Sequence, residues 1–462
     1  MKKFDWISFA IVISLIIIGL MMIYAAGYQP DAQIPFFSTQ AGKQSIFIVG
    51  ALVILTGSQL IDWKFWSGFA YPFYAFTIFL LLLVLILGAT IKGSTSWFQL
   101  GWFSFQPSEL AKVGTIMALA SFLSHHRTRV SDTRDLMVAS GIILLPALLV
   151  LLQGDAGSAL VFLSIFLVLF REGLAIWIPV LLFIFALLFV LALKYDVFVV
   201  LPLLLFAGGI FLLTSVKRKQ MHMLVSLGMF MLAIAFSFLD RLDIVIGLSV
   251  VYMLYAAIEN FITKQIRQVV LLSVGVTILF GFAYTSSYLF TNVLERHQQD
   301  RINVWLNPED CDPRGSLYNI LQSKIAIGSG GFTGKGYLQG TMTKLNYVPE
   351  QSTDFIYSII GEEHGFIGSI AVIMLFLILM LRVIDIGERA RIPFIRHYAF
   401  GVVGVMFTHF IVNIGMTMGL MPVIGIPLPF ISSGGSSLLG FSMLIGILLS
   451  MDSSWVRSRR VM

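Results

Sequence analysis

Residues 1–27 read MKKFDWISFAIVISLIIIGLMMIYAAG. The basic start and small-residue end resemble a secretory signal. However, the uncharged run from Trp6 to Gly27 is far longer than the ~7–15 residues of a signal core and matches the ~20 needed to cross a bilayer. The stretch therefore predicts an uncleaved first membrane helix with its basic end inside. Composition agrees: of 462 residues 58% are hydrophobic and 12% charged, against about 25% charged in a soluble domain. Lipid is the solvent for most of this chain.

Working outward, apolar stretches of about spanning length recur near 7–27, 44–61, 67–90, 107–124, 135–152, 156–170 and 173–194. Others follow near 196–215, 221–239, 242–261, 267–290, 364–384, 396–420 and 433–451. Backbone in hydrocarbon must satisfy its own polar groups, so these are helices. The expected fold is an all-α integral membrane protein, a polytopic bundle of about 14 transmembrane helices with one long extracytoplasmic loop. Lysine and arginine fix the orientation. With the N-terminus inside, the cytoplasmic loops hold HHRTRVSDTR (125–134), VKRK (216–219), ITKQIRQ (262–268), GERARIPFIR (387–396) and the tail VRSRR (456–460). The net charge of +6 thus marks membrane orientation and gives no reason to expect nucleic acid. Both termini fall in the cytoplasm, and residues 291–354 fall outside it.

The sequence divides into N-terminal membrane helices (1–195), additional helices and the span leading outward (196–290), the outer loop (291–354) and C-terminal helices (355–462). Cys311 is the single cysteine, so no disulfide forms within the chain. The seven histidines show no zinc-ligand spacing.

The loop opens on NPEDCDPRG (307–315). A calcium loop beginning at Asp310 would need oxygen ligands where Arg314 and Leu321 stand, which excludes that reading. Prolines 308 and 313 rigidify the stretch, and Arg314 is placed to hold a carboxylate. Two readings stay open: solvated acids, or a positioned general base. A helix follows (SLYNILQSKIAIG, 316–328), then GSGGFTGKG (328–336). Thr333 breaks the dinucleotide pattern, and Ser329 and Gly336 break the phosphate-loop pattern. What remains is a flexible hinge, or backbone N–H groups plus Lys335 near an anion.

Three further segments carry polar groups. In FQPSELAK (105–112), Pro107 suits a first helical turn, and Glu109 shares a face with Lys112. Each charge alone in a span would cost at least ~2.5–3.5 kcal/mol, so the two are expected to pair. The pair is either a lock between helices or a wall of a substrate cavity. Asp155 in LLQGDAGSALV (151–161) is expected to cap the next helix. In GIPLPFISSGGSSLLG (425–440), Ser432 or Ser433 can cap the last helix, whose outward N-terminus would accept a phosphate.

These segments in this order resemble the SEDS family of bacterial cell-wall polymerases (shape, elongation, division, sporulation), which includes RodA, FtsW and SpoVE. The loop sequences QSKIAIGSGG and GKGYLQGT look like the RodA branch. The resemblance implies a peptidoglycan glycosyltransferase of the cytoplasmic membrane that joins lipid II units during elongation, beside a crosslinking class B penicillin-binding protein. It places the catalytic aspartate at Asp312, followed by Pro313 and Gly315, and the membrane ion pair at Glu109 and Lys112. Asp312 would be the general base. Partial burial, or Glu309 and Asp310 nearby, would have to raise it from an ordinary ~3.9. Arg301, Lys324 and Lys335, with Glu109, Lys112 and Ser432, are the expected substrate-binding groups, and Asp155 a structural or cavity residue. No metal ligand set is legible, though a divalent cation would suit a pyrophosphate leaving group. The chain departs from the family at Ser96 (usually arginine) and Ser433 (usually tyrosine). It also has an apparent four-helix insertion between about 196 and 290, on a core of ten spans. The competing readings are a lipid II flippase and a non-catalytic scaffold.

Overall fold

The computed structural model describes residues 4–28, 35–91, 93–101, 103–125, 128–195, 197–214, 219–237, 241–263, 266–294, 296–312, 315 and 317–458. The chain forms two compact units, one of residues 1–175 with 312–462, the other of residues 176–311.

The first unit begins with α1 (Trp6–Ala26), α2 (Gln40–Gly57) and α3 (Trp63–Leu87). A three-stranded antiparallel sheet follows, β1 (Ala89–Ile91), β2 (Ser94–Leu100) and β3 (Phe103–Phe105), in that order. Then come α4 (Pro107–Leu123), α5 (Thr133–Leu152), α6 (Ala156–Leu163) and α7 (Phe166–Arg171). The second unit holds α8 (Trp177–Lys194), α9 (Val197–Thr214), α10 (Lys219–Ser237), α11 (Leu242–Ile262), α12 (Ile266–Asn292) and α13 (Arg296–Leu306). The first unit resumes with α14 (Tyr318–Ser329), α15 (Thr341–Lys344), α16 (Ile356–Arg389), α17 (Pro393–Thr417) and α18 (Gly435–Ser458).

Helices occupy all fourteen apolar stretches. Among the described residues, ten helices are long and apolar enough to cross a membrane. The stretch at 156–170 is broken into α6 and α7, while 196–215 and 221–239 carry shorter apolar helices at Val197–Leu213 and Met223–Phe236. The remaining one is α4, at 17 residues. The small sheet was not anticipated. Its backbone bonds are made between strands just outside the apolar runs, with Phe98 opposite Phe105 and Leu100 opposite Phe103. The Thr95 N–H donates to Gln153, fastening the sheet to the end of α5.

The core of the first unit is α4, packed among α3, α5, α17 and α18, with nearly every residue buried. The outer helices instead leave large apolar side chains exposed, including Phe76 and Phe79 on α3 and Leu148 and Leu151 on α5. Such a surface suits hydrocarbon, not water. In the second unit α9 packs on α11 and α12, and Tyr252 stacks on Phe206 at 5.2 Å. The buried amide of Asn260, on α11, donates to the Leu212 carbonyl of α9.

Helix α18 gives the first unit its two ends. At one end the Ser433 N–H bonds the Ser352 carbonyl, and at the other Asp452 pairs with Arg389. Within α18, seventeen helical rises of about 1.5 Å separate Gly435 from Asp452 by ~26 Å, close to the ~30 Å thickness of a hydrocarbon core. Arg382, near Arg389 on α16, pairs with Asp5 at the start of α1. The beginning of α1 and the end of α18 therefore share one face, and the 351–354 and 425–434 segments lie at the other.

Candidate functional site

Helix α4 begins with Pro107 in its first turn, where a missing N–H costs nothing. Glu109 in the same turn meets the positive end of the helix dipole. Its carboxylate is 2.8 Å from the Lys112 ammonium, and the two side chains are 4% and 1% exposed. The expected pairing is present. It sits in the protein core and faces no lipid, the arrangement that makes charge tolerable at membrane depth. Lys112 Nζ also lies 3.0 Å from His409 Nε2 and 5.2 Å from the centre of the Phe441 ring. His409, on α17, contacts the Pro427 carbonyl through Nδ1 at 2.9 Å. Sequence reasoning passed over His409 because no spacing ties it to Lys112.

One turn along α17, the Asn413 amide donates to the carbonyls of Ile426 (2.8 Å) and Asp354 (3.0 Å). The segment before α18 is thus fixed to both α17 and the 351–354 corner. Ser432 completes the join: its hydroxyl donates to Thr353 and accepts from the Leu428 N–H. Ser432 does not cap α18, because these longer-range bonds engage its hydroxyl. Asp155 does cap α6, accepting from the Ser158 N–H at 2.9 Å and the Ser158 hydroxyl at 2.7 Å. It also accepts from Gln106 at 2.9 Å, which links the cap to the residue before α4.

In the loop, Asp312 is exposed, so the partial burial expected of a strengthened base is not found. Its backbone carbonyl accepts from the Gly315 N–H at 3.0 Å. Pro313 and Arg314 lie outside the described residues, as does the side chain of Arg301 on α13. Lys324 on α14 is exposed, its chain lying against Gly419, beside the bond by which Ser323 holds the Thr417 carbonyl at the end of α17.

Lys335 has a different setting. Its ammonium donates to Glu362 at 2.7 Å and to the Thr341 hydroxyl at 2.9 Å. Glu362 is fully buried and also accepts from the N–H groups of Met342 and Thr343, both at 2.9 Å, and from the Thr343 hydroxyl at 2.7 Å. Sequence reasoning missed it; the only available signal was a carboxylate pair, Glu362–Glu363, beside an apolar span.

The glycine-rich segment runs along a break in α16, where Gly365 has φ of 63°. The N–H groups of Lys335 and Gly336 donate to the carbonyls of Glu362 and Glu363, each at 3.0 Å, and Phe366 returns a bond to Gly331 at 3.0 Å. A Cβ on Gly334 would run into the Glu363 carbonyl, and one on Gly365 into the Gly334 nitrogen. The glycines therefore allow two backbones to touch, and the segment is packed where a hinge was expected. Among the described residues no group of three or more His, Cys, Asp or Glu side chains could hold a metal ion.

The FtsW/RodA/SpoVE family, described as cell cycle proteins, matches residues 5–204 and 197–455. The chain is 33% identical over 461 residues to the peptidoglycan glycosyltransferase RodA of Treponema pallidum (strain Nichols), covering 98% of each. It is 30% identical over 444 residues to the peptidoglycan glycosyltransferase MrdB of Escherichia coli (strain K12), covering 96% of this chain and 92% of the relative. Its fold is shared with a chain of a peptidoglycan synthase complex, solved to explain the coordination of polymerization and crosslinking, at a TM-score of 0.63, 24% identity and 99% coverage of both. RodA of Thermus thermophilus superposes with a TM-score of 0.56 at 23% identity, over 97% of this chain and 96% of that one. The protein belongs to the FtsW/RodA/SpoVE family of cell cycle proteins.

Proposed function

We propose that this multi-pass membrane protein is a peptidoglycan glycosyltransferase that joins lipid II disaccharides into glycan strands during cell elongation. The observation that carries the reaction class is the end-to-end identity to relatives named peptidoglycan glycosyltransferases. Residues 312–354 face the outside of the cytoplasmic membrane, with both termini in the cytoplasm. In support, the start of α1 and the end of α18 share one face of the first unit, and the 351–354 corner lies at the other.

Asp312 serves as the general base. Its carboxylate takes the proton of the acceptor 4-hydroxyl while that oxygen attacks the anomeric carbon of the donor. The bond from that carbon to pyrophosphate breaks, and the polyprenyl pyrophosphate leaves with the electron pair, inverting the configuration. Because pyrophosphate is a good leaving group, the second carboxylic acid used in glycoside hydrolysis is dispensable. Exposed Lys324 is available to the departing charge. Lys335, already held by Glu362, is better suited to fixing the loop. A class B penicillin-binding protein crosslinks the product, a reading supported by the structural likeness to a peptidoglycan synthase complex.

The test is Asp312→Asn in purified protein given labelled lipid II. Loss of a general base should slow chain formation by about 100-fold or more. An undiminished rate would remove Asp312 from the role. Wild-type protein that moves lipid II across vesicles without polymerising it would be a flippase. Protein that does neither, yet binds the crosslinking enzyme, would be a scaffold.

A further inference from the structure

The Pro427 carbonyl can only accept a hydrogen bond, so the ring nitrogen 2.9 Å away, Nδ1 of His409, must carry a proton. On the other side Lys112 is an ammonium with no acceptor capacity, and Nε2 lies 3.0 Å from it. Nε2 must therefore present a lone pair. The two contacts together fix a neutral imidazole in the Nδ1–H tautomer. The Phe441 ring stands edge-on to His409 at 4.8 Å and prevents the imidazole from turning away. His409 and Lys112 are 2% and 1% exposed, so water does not compete for either bond.

We infer that His409 is a positioning residue: it fastens the Glu109–Lys112 pair of α4 to the Pro427 segment, which Asn413 and Ser432 in turn join to the 353–354 corner. Lys112 is held from two sides, by a carboxylate on its own helix and an imidazole on another. A side chain of equal bulk without an acceptor would fill the space and leave the ammonium half-satisfied. The effect would reach the far end of the segment, where the loop re-enters α16. The inference rests on the polymerase reading for its activity measurement only.

The test uses full-length purified protein with ring-labelled histidine. Nitrogen resonances assigned by their loss in His409→Gln should show a neutral Nδ1–H ring at neutral pH, and Lys112→Met should shift the Nε2 signal. A cationic ring, or an Nε2–H tautomer, overturns the inference whether or not the protein polymerises lipid II. In the activity arm, His409→Phe should lower the polymerisation rate about 10–100-fold per folded molecule, as a displaced support does. His409→Gln, which keeps an acceptor for Lys112 and a donor for Pro427, should recover most of that loss. A full rate in His409→Phe overturns the positioning role, as does a correctly folded His409→Gln no better than His409→Phe. Absence of any glycan from wild-type protein would instead count against the polymerase reading and leave the tautomer result standing.

Discussion

Lys335 Nζ lies 2.7 Å from Oε1 of Glu362, a carboxylate with no solvent exposure that also draws in the first N–H groups of α15. The lysine that looked like a free cation in the sequence is one of the bonds holding the outer loop to α16. Lys335→Met should therefore lower thermal stability by about 1–3 kcal/mol, the worth of a hydrogen bond to a charged group. It should leave the KM for lipid II nearly unchanged. Lys324→Met should do the reverse, raising KM with little change in melting temperature. A Lys335→Met protein of normal stability and weakened substrate affinity would return that lysine to the substrate.

For the Glu109–Lys112 pair the unpaired charge matters more than the lost attraction. Lys112→Met leaves a carboxylate buried in the core and should cost about 3–5 kcal/mol. Replacing both residues, as Glu109→Gln with Lys112→Met, should cost less than the sum of the single changes, with a coupling of roughly 1–3 kcal/mol. Thermal unfolding of the four proteins in detergent measures it. Strict additivity would mean that the two charges do not interact.

Two glycines six residues apart should respond in opposite ways. Gly334 has φ of 83° and no room for a Cβ beside the Glu363 carbonyl. Gly334→Ala should destabilise the loop by roughly 1–3 kcal/mol and reduce polymerisation. Gly328, helical and with open space around it, should accept alanine with no loss or a gain of up to about 1 kcal/mol. Limited proteolysis of the outer loop, compared with melting curves, distinguishes the two.

The start of α1 should show a pH dependence. Burial by itself raises the Asp5 pKa, but the Arg382 hydrogen bond, the Ser8 hydroxyl and the Arg382 charge outweigh it and hold the carboxyl below its usual value. A folded pKa below the unfolded one contributes stability above the unfolded value, and that stability is lost as pH falls through the folded one. Asp5→Asn should therefore lower the melting temperature at pH 7, and its difference from wild type should shrink below about pH 4. A difference that stays constant down to pH 3 would show that the charge is not the cause.

Much of the membrane architecture was legible because it depends on runs of residues and on spacings within one helix. Residues 1–27 could be read as a span, Glu109 could be matched to Lys112 three positions on, and Asp155 could be assigned as a cap from the small residues after it. The break at Gly365 and the sheet at 89–105 were not read. Each depends on which other backbone lies alongside, and hydropathy carries no trace of that. The start of α16 was placed near 364, where the apolar run begins. That position falls at the break at Gly365, and the helical turns from Ile356 up to the break form a separate stretch held by the glycine-rich segment.

What the sequence alone determined is the solvent of this protein, its helical character and the local pairing of its charges, since hydrocarbon leaves a backbone few choices and a buried charge fewer. The tertiary structure decided which side chains from distant segments share those charges. His409 reaches Lys112 across 297 positions, and Glu362 removes Lys335 from the set of free cations. Contacts of that kind arise when separate helices pack, and no periodicity within either helix encodes them.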